Sequence, residues 1–270
     1  MDRIISVIFR IITFFVVLII FLLIFKIIFD GARYFSVDFF TKYPTDGMTT
    51  GGIFPAILGS LYIVLLSIVF SVPLGIFTGI FLSEYKDSKL SKIVDLAVTS
   101  LSGLPSIVFG LFGYALFSIA LGFGTSILSA SLTLSLMALP VISSSTKEAL
   151  LSLPVELKES AYSLGAKKNE VIFKVLIPAV KTNILTASLI GFGRTIGETA
   201  PVLVTGAVFY STSLPKSIFS PVMTLPTHIY YLVAAYGKDS VWMASASSSA
   251  LLIFVLVLYL IAFKVGGMRK

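Results

Sequence analysis

Residues 96–146 read LAVTSLSGLPSIVFGLFGYALFSIALGFGTSILSASLTLSLMALPVISSST, lie between Asp95 and Lys147, and hold no charged side chain. A soluble domain cannot run so far without charge, because its surface must be covered largely by polar groups. The stretch is long enough for two membrane-spanning helices of ~20 residues each. Gly122-Phe-Gly124 is the natural place for the chain to turn between them.

Working outward, six apolar stretches suffice to cross a bilayer: Ile4–Phe29, Phe54–Ser83, Ser100–Leu121, Thr125–Ser145, Ile184–Tyr210 and Trp242–Phe263. Composition agrees: 57% of the 270 residues are hydrophobic and 12% are charged, where a soluble domain carries about 25%. The expected fold is therefore all-α, a polytopic membrane protein with about six transmembrane helices. The first stretch exceeds the ~7–15-residue apolar core of a signal peptide and precedes no A-x-A site, so it reads as a retained anchor.

A net charge of +7 would suggest nucleic acid in a soluble protein. Here it fits the accumulation of Lys and Arg on the inner side of membrane proteins, with lipid as the surrounding partner and no nucleic acid. With the N-terminus inside, Lys26, Arg33, Lys42, Lys216 and Lys238 fall outside. Arg194 falls within a span, and the other Lys and Arg, including Arg269 and Lys270, fall inside. Both termini are thus expected in the cytoplasm of a plasma membrane. Tyr34, Tyr43, Tyr210, Tyr230, Tyr231, Tyr236 and Trp242 then sit near the outer interface.

The absence of cysteine excludes disulfide and thiol chemistry. The single histidine, His228, cannot form a His-pair metal site and reads as an external-loop interface residue. No Ser-His-Asp set, metal cluster, cofactor fingerprint or phosphate-binding G-x-x-x-x-G-K-[ST] loop is present, so no cofactor and no catalytic residue is expected. Gly75-x-x-x-Gly79 reads as a close-packing pair. Asp95 reads as a helix cap, and Glu84, Lys86, Asp87 and Lys89 as a solvated turn.

The longest loop between spans runs from about Thr146 to Thr182 and is the most charged part of the chain. Pro154 can start a helix over Glu156–Leu164, with acidic residues in its first turn. Gly165 can end it in a left-handed conformation. A second piece, Glu170–Leu176, should stop at Pro178. The loop reads Glu159-Ser160-Ala161-x-x-x-Gly165, then, nine residues on, Val175-Leu-Ile177-Pro178. This resembles the EAA loop of importer-type ABC permeases, E-A-A-x3-G-x9-I-x-L-P, with Ser160 for the middle Ala and Val175 for Ile. The resemblance implies that the short helix docks into a groove of an ATPase subunit and that Gly165 presents it. Lys158, Glu159, Lys167 and Lys168 are placed to orient such a docking.

The fifth span contains Gly191-Phe-Gly193-Arg194-Thr195-Ile196-Gly197-Glu198-Thr199-Ala200-Pro201. A charge at that depth costs at least ~2.5–3.5 kcal/mol on insertion scales, so two ionisable groups in one span imply a role. Their i, i+4 spacing places Arg194 and Glu198 on one helical face, and the nearby glycines should leave that face uncrowded. A guanidinium holds oxyanions through two parallel hydrogen bonds, and Thr195 and Thr199 can add hydroxyl donors. Glu198 can accept a bond from a protonated oxyanion or hold Arg194 when no substrate is present. An ion pair without substrate contact is the structural alternative.

The run Gly-Arg-x-x-Gly-Glu-Thr-Ala-Pro, with Gly103-Leu-Pro105-Ser-Ile-Val-Phe-Gly110-Leu, is similar to the PstA family of phosphate transport system permeases. That likeness implies a type I, MetI-like importer permease domain over 54–270, preceded by an anchor and external loop over 1–53. It implies a subunit without enzymatic chemistry of its own, forming half of a phosphate pathway. The implied partners are a second, PstC-like permease, a dimer of PstB-like ATPases and an external PstS-like phosphate-binding protein. A secondary anion transporter would leave the EAA-like loop unexplained, and a membrane scaffold would leave the buried charges unexplained. A permease for another oxyanion stays open.

Overall fold

The computed structural model describes residues 2–267. Arg269 and Lys270, assigned above to the cytoplasmic side, lie outside them. The main elements are α1 (Asp2–Ala32), α2 (Val37–Thr41), α3 (Phe54–Glu84), α4 (Lys89–Ser102) and α5 (Ser106–Ala120). They continue with α6 (Ile127–Leu151), α7 (Val155–Ser163), α8 (Lys168–Ile196), α9 (Ala200–Thr205), α10 (Leu225–Tyr231) and α11 (Val241–Gly267). A two-residue hairpin, Pro44–Thr45 with Thr50–Gly51, lies between α2 and α3. Among the described residues five helical stretches are long and apolar enough to cross a membrane, and α4 with α5 make a sixth if a bent pair is one span.

The centre of the bundle is α3 packed along α6, joined by α8. Small residues make that contact: a Cβ on Gly75 would lie 2.7 Å from Ile142, and one on Gly79 would lie 2.7 Å from the Ser143 carbonyl. The Gly75/Gly79 pair therefore serves an interface within the chain, as small residues do between membrane helices. Ser131 adds a hydroxyl bond to the Ile63 carbonyl at 3.1 Å. Helix α1 is different. No residue of its most apolar window is buried, and it meets the bundle along α11, where Gly31 sits against Ser245 and Ser249.

Four apolar clusters occur among the described residues, and three of them mark the two ends and the middle of α3. At one end Phe39, Met48, Ile53, Met223 and Met243 pack together, roofed by Tyr34, Tyr210, Tyr231, Tyr236 and Trp242. The middle holds Ile63, Phe109, Leu134, Met137 and Val202. At the α7 end Ile80, Leu150, Val171, Ile172, Leu176 and Val180 pack together.

The chain departs from its expected spans at three places. The stretch Ser100–Leu121 is not one straight helix: α4 and α5 meet at 111° across Gly103–Pro105. Pro105 has no N–H to give and its ring fixes φ, so the turn cannot continue through it. The span expected over Ile184–Tyr210 begins at Lys168, stops at Ile196, and resumes only as α9. Pro178 does not stop a helix. It follows closely on the wide π-helical turn Val171–Leu176, where the regular hydrogen-bond ladder is already broken, and α8 runs on through it to Ile196. The loop expected over 146–182 is correspondingly shorter, because α6 runs to Leu151 and α8 begins at Lys168. The turn at Gly122 and Gly124 forms as expected, with φ of +72° and +63°.

Three side chains expected at the surface have partners or burial instead. Asp95 caps nothing; it lies inside α4 and pairs with Lys147 of α6 at 2.7 Å. Glu84 is not part of a solvated turn, since its side chain is 4% exposed and bound by Lys158. His228 is buried in α10, and neither ring nitrogen has a partner among the described residues.

Candidate functional site

Helix α8 ends at Ile196 with Gly197 as its cap, and Pro201, which has no amide proton to carry the ladder on, sits in the first turn of α9. Arg194 occupies the last turn of α8, and Glu198 lies beyond the cap rather than on the same helix. The pair still meets. Arg194 Nε stands 3.7 Å from Glu198 Oε1, with the Arg194 side chain 50% exposed and that of Glu198 16%. This separation is longer than a hydrogen bond, so the guanidinium fork is held nearby but not consumed.

The two threonines fare differently. Thr195 is buried and its hydroxyl donates to the Phe192 carbonyl at 3.0 Å. Its donor is spent on its own helix. Thr199 occupies the N-terminal cap of α9 and makes no side-chain capping bond. The glycines do not simply clear space: a Cβ on Gly193 would lie 2.9 Å from the Tyr259 ring, so Gly193 lets α11 approach α8.

The segments Gly103–Leu111 and Gly197–Pro201, far apart in sequence, are neighbours in space. A Cβ on Gly110 of α5 would lie 2.8 Å from the Pro201 Cα of α9. The C-terminal end of α9 is fixed in turn, since Ser126 N–H donates to the Thr205 carbonyl at 2.9 Å. Two broken spans are thereby held at one depth beside Arg194. Broken helices are tolerated in membranes where they are buried in protein or line a cavity.

Below Arg194, the face of α8 left uncovered by the chain's own helices carries Asn183 and Ile190, with Thr186 half-buried between them. A cavity of about 480 Å³ between α6 and α8 is lined there by Ser145, Glu148, Ser152, Thr182, Asn183 and Thr186. The Thr186 hydroxyl is buried with no hydrogen-bond partner among the described residues. Sequence reading missed this groove, though Thr182 and Thr186 sit one turn apart on the same four-residue step that leads through Ile190 to Arg194. Among the described residues no group of three His, Asp or Glu is placed to hold a metal ion.

At the far end of α8, helix α7 starts after Pro154 and buries none of its residues. Glu159 and Ser160 are exposed, and Ala161 is partly buried against the cluster around Val171. Gly165 has a φ of +84°, a left-handed conformation in which any other residue is strained. Val175 and Ile177 lie on the first turns of α8, with Pro178 after them. Lys158 and Lys168, read as orienting charges for a partner, are engaged within the chain. Lys158 Nζ bonds both carboxylate oxygens of Glu84 at 2.7 and 2.8 Å, and Lys168 Nζ lies 3.8 Å from the Tyr85 ring centroid.

A bundle with broken spans, a polar face at depth and an uncovered helix at one end defines a membrane permease. The family model of the binding-protein-dependent transport system inner membrane component matches residues 71–266, and the chain belongs to that family. It is 32% identical over 255 residues to the probable ABC transporter permease protein YqgI of Bacillus subtilis, covering 90% of this chain and 87% of that one. It is 37% identical over 223 residues to the phosphate transport system permease protein PstA of Xylella fastidiosa, covering 82% and 76%. In fold it is similar to a bacterial alginate ABC transporter crystallised with its pentasaccharide-bound periplasmic protein. That likeness has a TM-score of 0.66 over 95% of this chain and 93% of that one, at 17% identity. The type I importer-permease fold and the PstA-type resemblance expected from the sequence hold.

Proposed function

We propose that this chain is the transmembrane permease subunit of a binding-protein-dependent, ATP-driven importer of inorganic phosphate and forms half of its pathway. One observation carries the reading. Arg194 stands at a helix break within a membrane-spanning bundle, on a face the chain itself leaves open, with its fork unspent. Lipid does not tolerate such a face, so a second permease subunit covers it and the pathway runs between the two. The names of the PstA relatives supply the substrate, and planar, bidentate recognition by Arg suits phosphate oxygens.

The residues divide by task. Arg194 receives the anion, with Thr199 as a hydroxyl donor nearby. Glu198 keeps Arg194 from standing unpaired between turnovers and accepts a proton-bearing phosphate oxygen when the anion arrives. Thr195 fixes the last turn rather than meeting substrate. Asn183 and Thr186 continue the polar face toward the cytoplasm. Glu159, Ser160 and Ala161 on α7, the turn at Gly165, and Val175, Ile177 and Pro178 form the ATPase-docking region. The α7 end faces the cytoplasm with both termini, residues 1–53 act as anchor and external loop, and 54–270 form the permease domain. The partners are a second permease, an ATPase dimer and an external phosphate-binding protein. The subunit makes and breaks no covalent bond.

The test is phosphate uptake by the assembled complex in proteoliposomes. Arg194→Ala should abolish uptake with every subunit still co-purifying. Arg194→Lys, which keeps charge but not the fork, should lower it by about tenfold or more, the size of one charge-assisted hydrogen bond. Normal uptake in an assembled Arg194→Ala complex would leave the pair as structural.

A further inference from the structure

Glu84 lies at the last turn of α3 with its side chain 4% exposed, and no other ion-paired carboxylate among the described residues is so enclosed. A buried carboxylate is costly unless its charge and lone pairs are met. Glu84 is met by one group, the Lys158 ammonium, which reaches both oxygens across 74 residues of sequence. Lys158 belongs to α7, which buries no side chain of its own. Beside them Lys168 rests on the ring of Tyr85, the residue that caps α3. The hold of the bundle on α7 thus has two parts: Ala161 against the cluster around Val171, and this charged clasp on the end of α3.

Helix α3 is well placed to carry what the clasp delivers. Ile80 sits in the cluster at the α7 end. Higher up, Ile68, Val72 and Ile76 pack against the cluster of Ala138, Ile142 and Phe192, the last of which lies two residues before Arg194. Gly75 and Gly79 lock the intervening stretch onto α6. A tight clasp at one end and close packing at the other make a rigid member, whereas a solvated pair would let α7 swing freely.

We propose that Glu84 and Lys158 are positioning residues that fasten the ATPase-docking helix to α3. Displacement of α7 then reaches the middle of the membrane through α3 as well as through α8. This rests on the reading of α7 as the ATPase-docking helix.

The natural absence of cysteine gives a direct test. Glu84→Cys and Lys158→Cys are placed together in the assembled complex, whose other subunits carry no reactive thiol. The pair is then bridged by a short, reducible bifunctional thiol reagent. Removing both charges strands neither, so the complex is expected to assemble. Unbridged, phosphate moved per ATP hydrolysed should fall by about tenfold, the worth of one charge-assisted bond. Bridging should restore it and reduction should abolish it again. The ratio is the deciding readout, because a merely structural role would lower yield and leave phosphate per ATP alone. A ratio unchanged by the unbridged substitutions overturns the proposal. So does a bridge that stops uptake, since α7 would then have to part from α3. Should the cysteine pair fail to assemble, Glu84→Gln decides by the same ratio. ATPase co-purification is measured alongside with Gly165→Pro: retention there sinks the docking reading, while its loss with a normal ratio in the cysteine pair sinks only the clasp.

Discussion

Two ion pairs in this chain join the same kinds of group and differ in almost everything else. Arg194 and Glu198 are four residues apart, meet at 3.7 Å, and leave the cation half exposed. Lys158 and Glu84 are 74 residues apart, meet at 2.7 and 2.8 Å, and leave the acid 4% exposed. The first is loose and lies at a helix break on an open face. The second is tight and lies where two helices join. A guanidinium with an unspent fork can exchange one acceptor for another at little cost. An ammonium clasping both oxygens of an enclosed carboxylate cannot let go without stranding a charge. Separation and burial, more than residue type, divide the pair we propose to receive a ligand from the pair we propose to hold a shape.

Three substitutions sharpen that comparison. The largest effect is expected at the loose pair. Glu198→Gln keeps the shape and a hydrogen-bonding group but removes the counter-charge, leaving Arg194 unpaired at a depth where a charge costs ~2.5–3.5 kcal/mol. Uptake by the assembled complex should be lost or become leaky, read as phosphate flux with and without ATP. Coupled uptake at the native rate would mean that Glu198 is a spectator. A smaller effect is expected at Gly165→Ala. Nothing lies within 4 Å of the added Cβ, so only the left-handed backbone resists, at roughly 1–2 kcal/mol. ATPase affinity in a pull-down titration should fall by up to about thirtyfold. The smallest belongs to a third pair. Asp95 and Lys147 meet at 2.7 Å but are 43% and 25% exposed. Asp95→Asn should change the thermal stability of the purified chain by about 0–1 kcal/mol. A larger loss would show that solvent exposure does not grade these pairs as claimed.

The sequence made the long apolar helices plain because each keeps high mean hydropathy and few charges over a membrane-length window. Gly122 and Gly124, Gly165, and the helix after Pro154 were equally legible, since turn chemistry is local. The bend at Gly103–Pro105 was not, because mean hydropathy sums over a stretch and does not register a change of direction within it. The end of α8 at Ile196 was hidden for the same reason: apolar residues on both sides of Gly197 read as one span. Arg194 and Glu198 stood out as charges in an apolar run. Glu84 could not, since it looked like one of several charges after α3 and its partner is 74 residues away. Gly193 illustrates the limit well. The sequence shows that the residue is small, and only the fold shows that the Tyr259 ring requires it.

The contact between Gly110 and Pro201 has a kinematic consequence. Helices α5 and α9 belong to different broken spans, yet they touch where no methyl group would fit. Two jointed rods pinned at a shared point lose independent freedom. If the break at Gly197–Thr199 widens, α5 must swing with it, and the bend at Gly103–Pro105 is where that swing is taken up. Any opening beside Arg194 would then follow one coordinate instead of two.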